Sequence, residues 1–474
     1  MTIYIIYAAS NTGSSNYSCE PPLGPISLFS SLKDNNKESV TYLDSTIISQ
    51  KEIEQLTIKN KPDIIALSCT SFNYLNSIRL AEIGKNYGAK IIIGGIHVTH
   101  MRDNILKKML SKERPFDFIV TDQGEPAFNN LVNSIMQNET QINIPNLCYI
   151  SINNEIKINK PHIHENNLDP CRYPLDYSKI DFDLYSKNFD RIGILSDVKK
   201  IGTIFTQRGC IYSGKQKCLF CSITKSKLKR DESHIKSDIV SLIEKGIDHI
   251  RISDADFTTN IHHLETVTKA ANEAFAETGK KPTFYCFARA DEIDSMRIKL
   301  LKQMNVIAVF IGYESGSNEV LRYYNKNITV DQNLYATKLL KKNGIQVVCG
   351  GIVLGAGNES SSTLSQTVDF LRKLKGIKNT ESLIATPLMP LPGSIAFNQL
   401  LAALSKYDHS KYSQLVNEDL LNINELIDLW CYYVSGVPLY KLLETCSMIE
   451  EIFNMSINFI DLEYSFKNLP QEIN

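Results

Sequence analysis

Short apolar runs of strand length recur through the first 120 residues: Ile3–Ala8, Val40–Asp44, Ile64–Ser68, Ile91–Gly94 and Phe118–Val120. Between them the apolar positions shift to helical spacing. Leu80, Ile83 and Tyr87 show it, and Gly88 stands where such a helix would stop. Strand alternating with helix predicts a parallel sheet with both faces covered, and sites in such sheets lie at the carboxyl ends of the strands. Residues 136–198 break the rhythm with Asn, Asp and Pro145, Pro161, Pro170 and Pro174. They read as a connector carrying a hairpin and wrapped over the surface. Alternation resumes from about 199 to 395. The strands there are Gly202–Thr206, His249–Ser253, Thr283–Ala288, Ala308–Tyr313, Gln346–Leu354 and Ser382–Thr386. The helices are Ser237–Lys245, His263–Thr278, Asp294–Met304, Thr329–Lys342 and Ser361–Lys375. Six such units in a row predict a full or partial β/α barrel. The remainder, with the only tryptophan (Trp430), reads as helices. Four regions follow: 1–135, a connector 136–198, a barrel 199–395 and a helical region 396–474.

Composition narrows the class. With 43% hydrophobic and 22% charged residues, the 474-residue chain is globular and long enough for two or three cores. Its 51 basic and 52 acidic side chains leave a net charge of −1. That argues against nucleic acid or an acidic membrane as partner. No apolar run reaches the ~18 residues of a membrane span. The first residues carry no base before Lys33, so they read as a strand and not as a signal peptide. The expected location is the cytoplasm, where the 11 cysteines are better suited to metal or chemistry than to disulfides.

The sharpest local feature is Arg208-Gly209-Cys210, seven further residues, then Cys218-Leu219-Phe220-Cys221, directly after the first barrel strand. Three thiolates on one loop, with no fourth cysteine nearby, suit an iron–sulfur cubane that keeps one iron open. The competing readings are a zinc site completed from a distance by a residue such as His234, or unliganded cysteines. Cys286 and Cys349 lie in predicted barrel strands, either facing the cavity as weak catalytic candidates or packing in the core.

Residues 200–395 resemble the radical S-adenosylmethionine (SAM) superfamily, and residues 1–130 resemble the cobalamin-binding domain that often precedes its barrel. Cys218, Phe220 and Cys221 match the family's cluster motif, while Ile211–Lys217 carry a four-residue insertion in the first gap. Further segments agree in order: Ser253-Asp254-Ala255-Asp256-Phe257, Phe287-Ala288-Arg289-Ala290-Asp291, Ile311-Gly312-Tyr313-Glu314-Ser315, Val353-Leu354-Gly355 and Pro390-Leu391-Pro392-Gly393. The resemblance implies an α/β protein, with a Rossmann-like parallel sheet, then a partial (β/α)6 barrel and a small helical C-terminal region. It implies cluster ligation by Cys210, Cys218 and Cys221 and SAM contacts from Phe220, Asp254, Arg289 and Glu314. Asp254 and Asp256 could equally cap the next helix, and Glu314 could serve as a structural partner of Arg289. For cobalamin the implied positions are Ser68, Gly94, Gly95, His97, Gly124 and Glu125. The Asp-x-His-x-x-Gly motif of a separate cobalamin class is absent, so neither His97 nor His100 is assigned to cobalt, and the nucleotide tail is expected inside the domain.

The implied cofactors are a 4Fe-4S cluster, SAM and cobalamin. The implied chemistry is cleavage of SAM to a 5′-deoxyadenosyl radical, hydrogen abstraction and methyl transfer to an unactivated carbon of a small molecule. Alternatives are a radical rearrangement, ring contraction or cyclisation with or without cobalamin, a purely structural N-terminal domain, and a non-catalytic corinoid or metal sensor. Lys215, Lys217, Lys225, Lys227, Lys229 and Arg230 form either a solvated face or a docking patch for an acidic electron donor such as flavodoxin or ferredoxin.

Overall fold

The computed structural model describes residues 1–10, 18–139, 142–162, 169, 171–188, 198–212, 216–224 and 228–453. Strands β1 (Ile3–Tyr7), β2 (Val40–Asp44), β3 (Ile64–Ser68), β4 (Lys90–Gly94) and β5 (Phe118–Val120) form a parallel sheet in the order β2-β1-β3-β4-β5. The apolar run of β3 is buried on both faces, as a strand between two helical layers must be. The hairpin of β6 (Leu147–Ile150) and β7 (Ile156–Ile158) adds antiparallel to β5, so part of the connector extends the sheet. The helix expected around Leu80 spans Tyr74–Asn86. Tyr87 falls just past its end and is exposed, because Gly88, at φ +86°, turns the chain there.

The second sheet contains β8 (Ile201–Ile204), β11 (His249–Ile252), β12 (Thr283–Ala288), β13 (Val306–Glu314), β14 (Gln346–Leu354) and β15 (Thr380–Pro387). These are parallel and adjacent in chain order, the open arrangement of a six-unit partial barrel. The two-residue strands β9 (Gln207–Arg208) and β10 (Leu228–Lys229) pair antiparallel beside it. Helix starts are strongly specified. Thr329 and Gln332 exchange side-chain and backbone bonds ahead of Val330–Lys342, and Asp294 and Asn260 cap their own helices.

Alternation along β12 sets the two faces of this sheet. Phe284, Cys286 and Ala288 are buried toward the outer helices. Tyr285 lies on the other face with Phe310, Cys349 and Ile384. The C-terminal helices Ile395–Tyr407, His409–Asn417, Ile423–Tyr433 and Leu439–Phe453 join both sheets. Trp430 Nε1 donates to the Gly355 carbonyl at 2.6 Å, beyond β14. Asp419, fully buried, pairs with Arg114 at 2.6 Å and accepts from the Tyr74 hydroxyl at 2.6 Å. Among the described residues no helix is long and apolar enough to cross a membrane.

Candidate active site

The cysteine loop leaves the barrel through a narrow neck. Arg208 faces Leu228 and Gln207 faces Lys229 across the β9–β10 ribbon. Below the neck, Asp254 accepts from the Thr206 amide at 2.7 Å, from the Thr206 hydroxyl and from the Gln207 amide at 3.2 Å. The Cys218–Cys221 end is docked by backbone: Leu219 N donates to Tyr324 O at 3.0 Å, and Ala396 N to Leu219 O at 2.9 Å. Phe220 packs edge-on against Tyr324, with ring centroids 5.3 Å apart. Burial pushes the Cys210 thiol up to about 11, and the nearby charges of Asp256, Cys218 and Cys221 add to that. Among the described residues no three His, Cys, Asp or Glu side chains converge to hold a single metal ion. A cubane makes a different demand, one thiolate on each of three separate irons with the fourth left open, and a thiol-only donor set suits it. His234, the candidate fourth zinc ligand, is instead placed 3.6 Å from Asp231 at the start of helix Glu232–Glu244.

The barrel strand ends beside this loop carry a compact charged group. Glu314 ends β13 at φ +61°, a left-handed conformation that costs a non-glycine residue roughly 1–3 kcal/mol and persists where the surroundings enforce it. Its carboxylate is 2.8 Å from Lys326 Nζ. Lys326, unnoticed in the sequence, is therefore the partner of Glu314. Arg289 binds elsewhere: it reaches Asp291 through two bonds of 3.1 Å, donates to the Lys326 carbonyl at 2.7 Å and lies 3.8 Å over the Tyr212 ring.

Asp254 corrects the expected SAM contact. It is 1% exposed, and its hydrogen bonds all run to the neck. Burial raises its carboxyl to about 7, although those bonds act in the opposite direction. Asp256 and Glu292 form a second unforeseen feature. Thr259 donates to both, Tyr212 donates to Glu292 at 3.1 Å, and Asp256 Oδ1 is buried without a hydrogen bond among the described residues. Burial, then the Asp256 charge, lifts Glu292 to about 7.

The two barrel cysteines separate by strand parity. Cys286 faces the outer helices, so it does not reach the concave face. Cys349 lies with Phe310 on the inner side, and burial moves its thiol up to about 11. The basic patch also changes. Arg230 is fully buried in an ion pair with Asp238, so it presents no charge to a partner. Lys217 donates to the Gly393 carbonyl at 2.9 Å. Lys215, Lys225 and Lys227 lie outside the described residues.

At the carboxyl ends of β3, β4 and β5 the first domain holds a cavity of about 140 Å³. Ser68, Gly94, Gly95, Gly124 and Glu125 line it, joined by Arg208 from the barrel. Glycine lines part of it and lets the backbone pack closely behind it. A Cβ on Gly95 would sit 2.3 Å from the Cys69 carbonyl oxygen, at a φ of +110° that already disfavours other residues. The volume is below the roughly 300 Å³ of a small-molecule pocket. It suits one inserted moiety, with the rest of a ligand over its mouth. His97 is the exception among the expected residues. It is 2% exposed, its ring lies tilted against Tyr74 with centroids 4.4 Å apart, and its ring nitrogens meet Ser71 Oγ at 2.9 Å and the Asp419 carbonyl at 3.0 Å. Burial lowers it to about 4, so it serves as a neutral tie to the C-terminal region.

Two family models match this geometry in the same order. Residues 13–132 match the B12 binding domain and residues 204–371 the Radical SAM superfamily. The chain belongs to the cobalamin-binding-domain radical SAM enzymes. An uncharacterized methyltransferase of Pyrococcus horikoshii is 25% identical to this radical SAM enzyme over 375 residues, covering 77% of the chain and 76% of the relative. An anaerobic magnesium-protoporphyrin IX monomethyl ester cyclase of Rubrivivax gelatinosus is 24% identical over 425 residues, 86% of the chain and 72% of the relative. The fold is shared with TsrM of Kitasatospora setae, a radical SAM methyltransferase solved with cobalamin and a 4Fe-4S cluster. The TM-score is 0.66 at 15% identity, over 85% of this chain and 76% of that one. It is also shared with OxsB, a cobalamin-dependent SAM radical enzyme, at a TM-score of 0.62 and 18% identity, over 96% of this chain and 62% of that one.

Proposed function

We propose that this enzyme is a cobalamin-dependent methyltransferase acting on an unactivated carbon of a small molecule or natural product. The observation that carries the reading is that the glycine-lined cavity and the three-cysteine loop adjoin, with Arg208 belonging to both. Cys210, Cys218 and Cys221 would hold the cluster, and Ser68, Gly94, Gly95, Gly124 and Glu125 would receive the corinoid tail, with no histidine offered to cobalt. When bound, the cluster with SAM supplies hydrogen abstraction and the corinoid supplies the methyl group.

The chain's own part is to bind and orient. Glu314, fixed by Lys326, presents a carboxylate at the strand end where ribose hydroxyls can donate to it. Arg289 fixes the Lys326 backbone, and Phe220 screens one side of the cysteine loop. Asp256, with one buried oxygen unengaged, offers an acceptor for an ammonium group. On the concave barrel face, Tyr285, Phe287 and Phe310 form an aromatic wall for substrate, with Arg251 over the first two rings at 5.7 and 5.1 Å. Cys349 lies beside Phe310 as a candidate hydrogen donor. A one-electron reductant such as flavodoxin or ferredoxin is required, in keeping with a reducing cytoplasm.

The test is anaerobic reconstitution followed by SAM and a reductant. Methyl transfer yields S-adenosylhomocysteine together with 5′-deoxyadenosine. The cyclase relatives favour a second reading, radical cyclisation or rearrangement, in which 5′-deoxyadenosine appears alone. A full cluster without any SAM cleavage would instead identify a sensor.

A further inference from the structure

Arg208 stands where three parts of the chain meet. It lies in β9, two residues ahead of Cys210, and its side chain is directed away from the cysteine loop and into the first domain. There it pairs with Glu125, the first residue of helix Glu125–Met136, and at 2.8 Å with Asp169 of the connector. Its guanidinium carbon also lies 4.4 Å over the Phe205 ring, a cation–π contact. Both carboxylates are almost wholly buried, Glu125 at 3% and Asp169 at 2% exposure. Ser27, from the helix after β1, donates to Glu125 as well.

This group is part of the cavity wall, since Glu125 and Arg208 both line it. Glu125 Oε2 is buried without a hydrogen-bond partner among the described residues. A buried carboxylate oxygen left unengaged is costly, so an amide or hydroxyl donor entering the cavity would be bound favourably. The far end of the cysteine loop is tied to the same domain. His100, on helix Ile96–Leu110, meets the carbonyl of Ser222, the residue after Cys221, at 2.7 Å. The loop is therefore held to the first domain at both ends, and only the Arg208 tie opens into the cavity.

We propose that Arg208 is a positioning residue shared by the two cofactor sites. Its guanidinium forms the inner wall of the corinoid cavity and fixes the start of the cysteine loop, so that filling either site tightens the other. This rests on the reading of the cavity as a corinoid site. An occupant that engages Glu125 settles the Glu125–Arg208 pair and hence the backbone leading to Cys210. A loaded cysteine loop, conversely, holds Arg208 in place and completes the cavity wall before the corinoid arrives. By linkage the two effects on affinity are equal.

The experiment uses the full chain, anaerobically, with and without a reconstituted cluster. Hydroxocobalamin is titrated by absorbance, and iron release to a chelator is timed with and without it. In the unaltered protein the cluster-loaded form should bind hydroxocobalamin at least about five-fold more tightly than the cluster-free form, the lower end of ordinary coupling. Hydroxocobalamin should also slow iron release. In Arg208→Lys and Arg208→Gln that ratio should fall to about one. An arginine with only a structural role would weaken both forms alike and leave the ratio intact, and that result overturns the proposal. So does a ratio of one in the unaltered protein. Should both variants fail to fold by thermal melt, Glu125→Gln decides: a ratio near one supports the coupling, and an unchanged ratio overturns it. If the unaltered protein binds no hydroxocobalamin in either form, the corinoid reading fails and the coupling with it.

Discussion

The two cofactor regions are built on opposite principles. The cavity in the first domain is made largely by leaving side chains out, with Gly94 and Gly95 ending a buried strand and Gly124 ahead of a helix. Its shape is a property of the backbone and is present before any ligand arrives. The cysteine loop is made by side chains on a segment whose described residues carry little secondary structure. It is placed from outside, by the β9–β10 neck, the Tyr324 and Ala396 backbone contacts and the His100 tie. A preformed cavity should keep its shape when the cluster is lost and give up only the affinity that Arg208 couples, whereas a loop of half-buried thiols needs its metal to neutralise and arrange them.

The strongest way to break the comparison is Cys218→Ala. Cluster iron and SAM cleavage should both be lost, read by iron content and by 5′-deoxyadenosine. Hydroxocobalamin affinity should fall no further than to that of the cluster-free unaltered protein. The converse variant is Gly124→Leu, whose added Cβ lies 3.1 Å from Val120 Cγ1 and whose branches fill the cavity. Hydroxocobalamin binding should weaken by more than about ten-fold, a loss of ~1.4 kcal/mol or more, while iron content holds.

Lys326→Met sharpens the view that the strand end beside the loop is a fixed charged frame. It leaves Glu314 buried and unpaired, and removing one partner of such a pair costs about 3 kcal/mol. Urea unfolding of the cluster-free form measures this, and unchanged stability would mean that Glu314 is held by something else.

The last effect is in pH. The folded carboxyl of Asp254 titrates near 7, above its ordinary value of 3.8, so between those limits the folded protein binds more protons than the unfolded chain. Its contribution to stability is therefore greatest below about pH 4 and declines as pH rises toward 7, by at most ~1.4 kcal/mol per pH unit. Asp254→Asn should flatten that part of the urea-stability profile, and an identical slope in the variant would remove Asp254 as its source.

Much of the fold was legible because it rests on local rules. Strands β2, β3, β12 and β14 fall on the residues that the apolar runs predict, and helix Ser361–Ile377 starts at its predicted residue behind a Ser360–Thr363 capping box. Gly94 and Gly95 could be singled out for the same reason, since a glycine pair after a strand marks a tight turn or a close backbone approach. Residues whose roles depend on distant partners were not. His97 looked like a site residue because it follows Gly94-Gly95, yet its ring is claimed by a carbonyl 322 positions away in the chain. Arg230 looked like surface charge because lysines surround it in sequence, yet Asp238 takes it into the core. Lys326 offered no signal at all, being one lysine in an Asn-rich turn.

The order of residues suffices for the alternation of strands and helices, the three-cysteine loop behind a barrel strand, and the glycines at the first domain's strand ends. Periodicity, spacing and the absence of a Cβ act over a few residues, so one chain is enough to read them. Which charges are partners emerges on folding alone: Glu314 with Lys326, Asp254 with the neck, and Arg208 with Glu125 and Asp169 across three segments. Ion pairs act through space at a few ångströms, and the separation of their members along the chain leaves no trace in the order of residues.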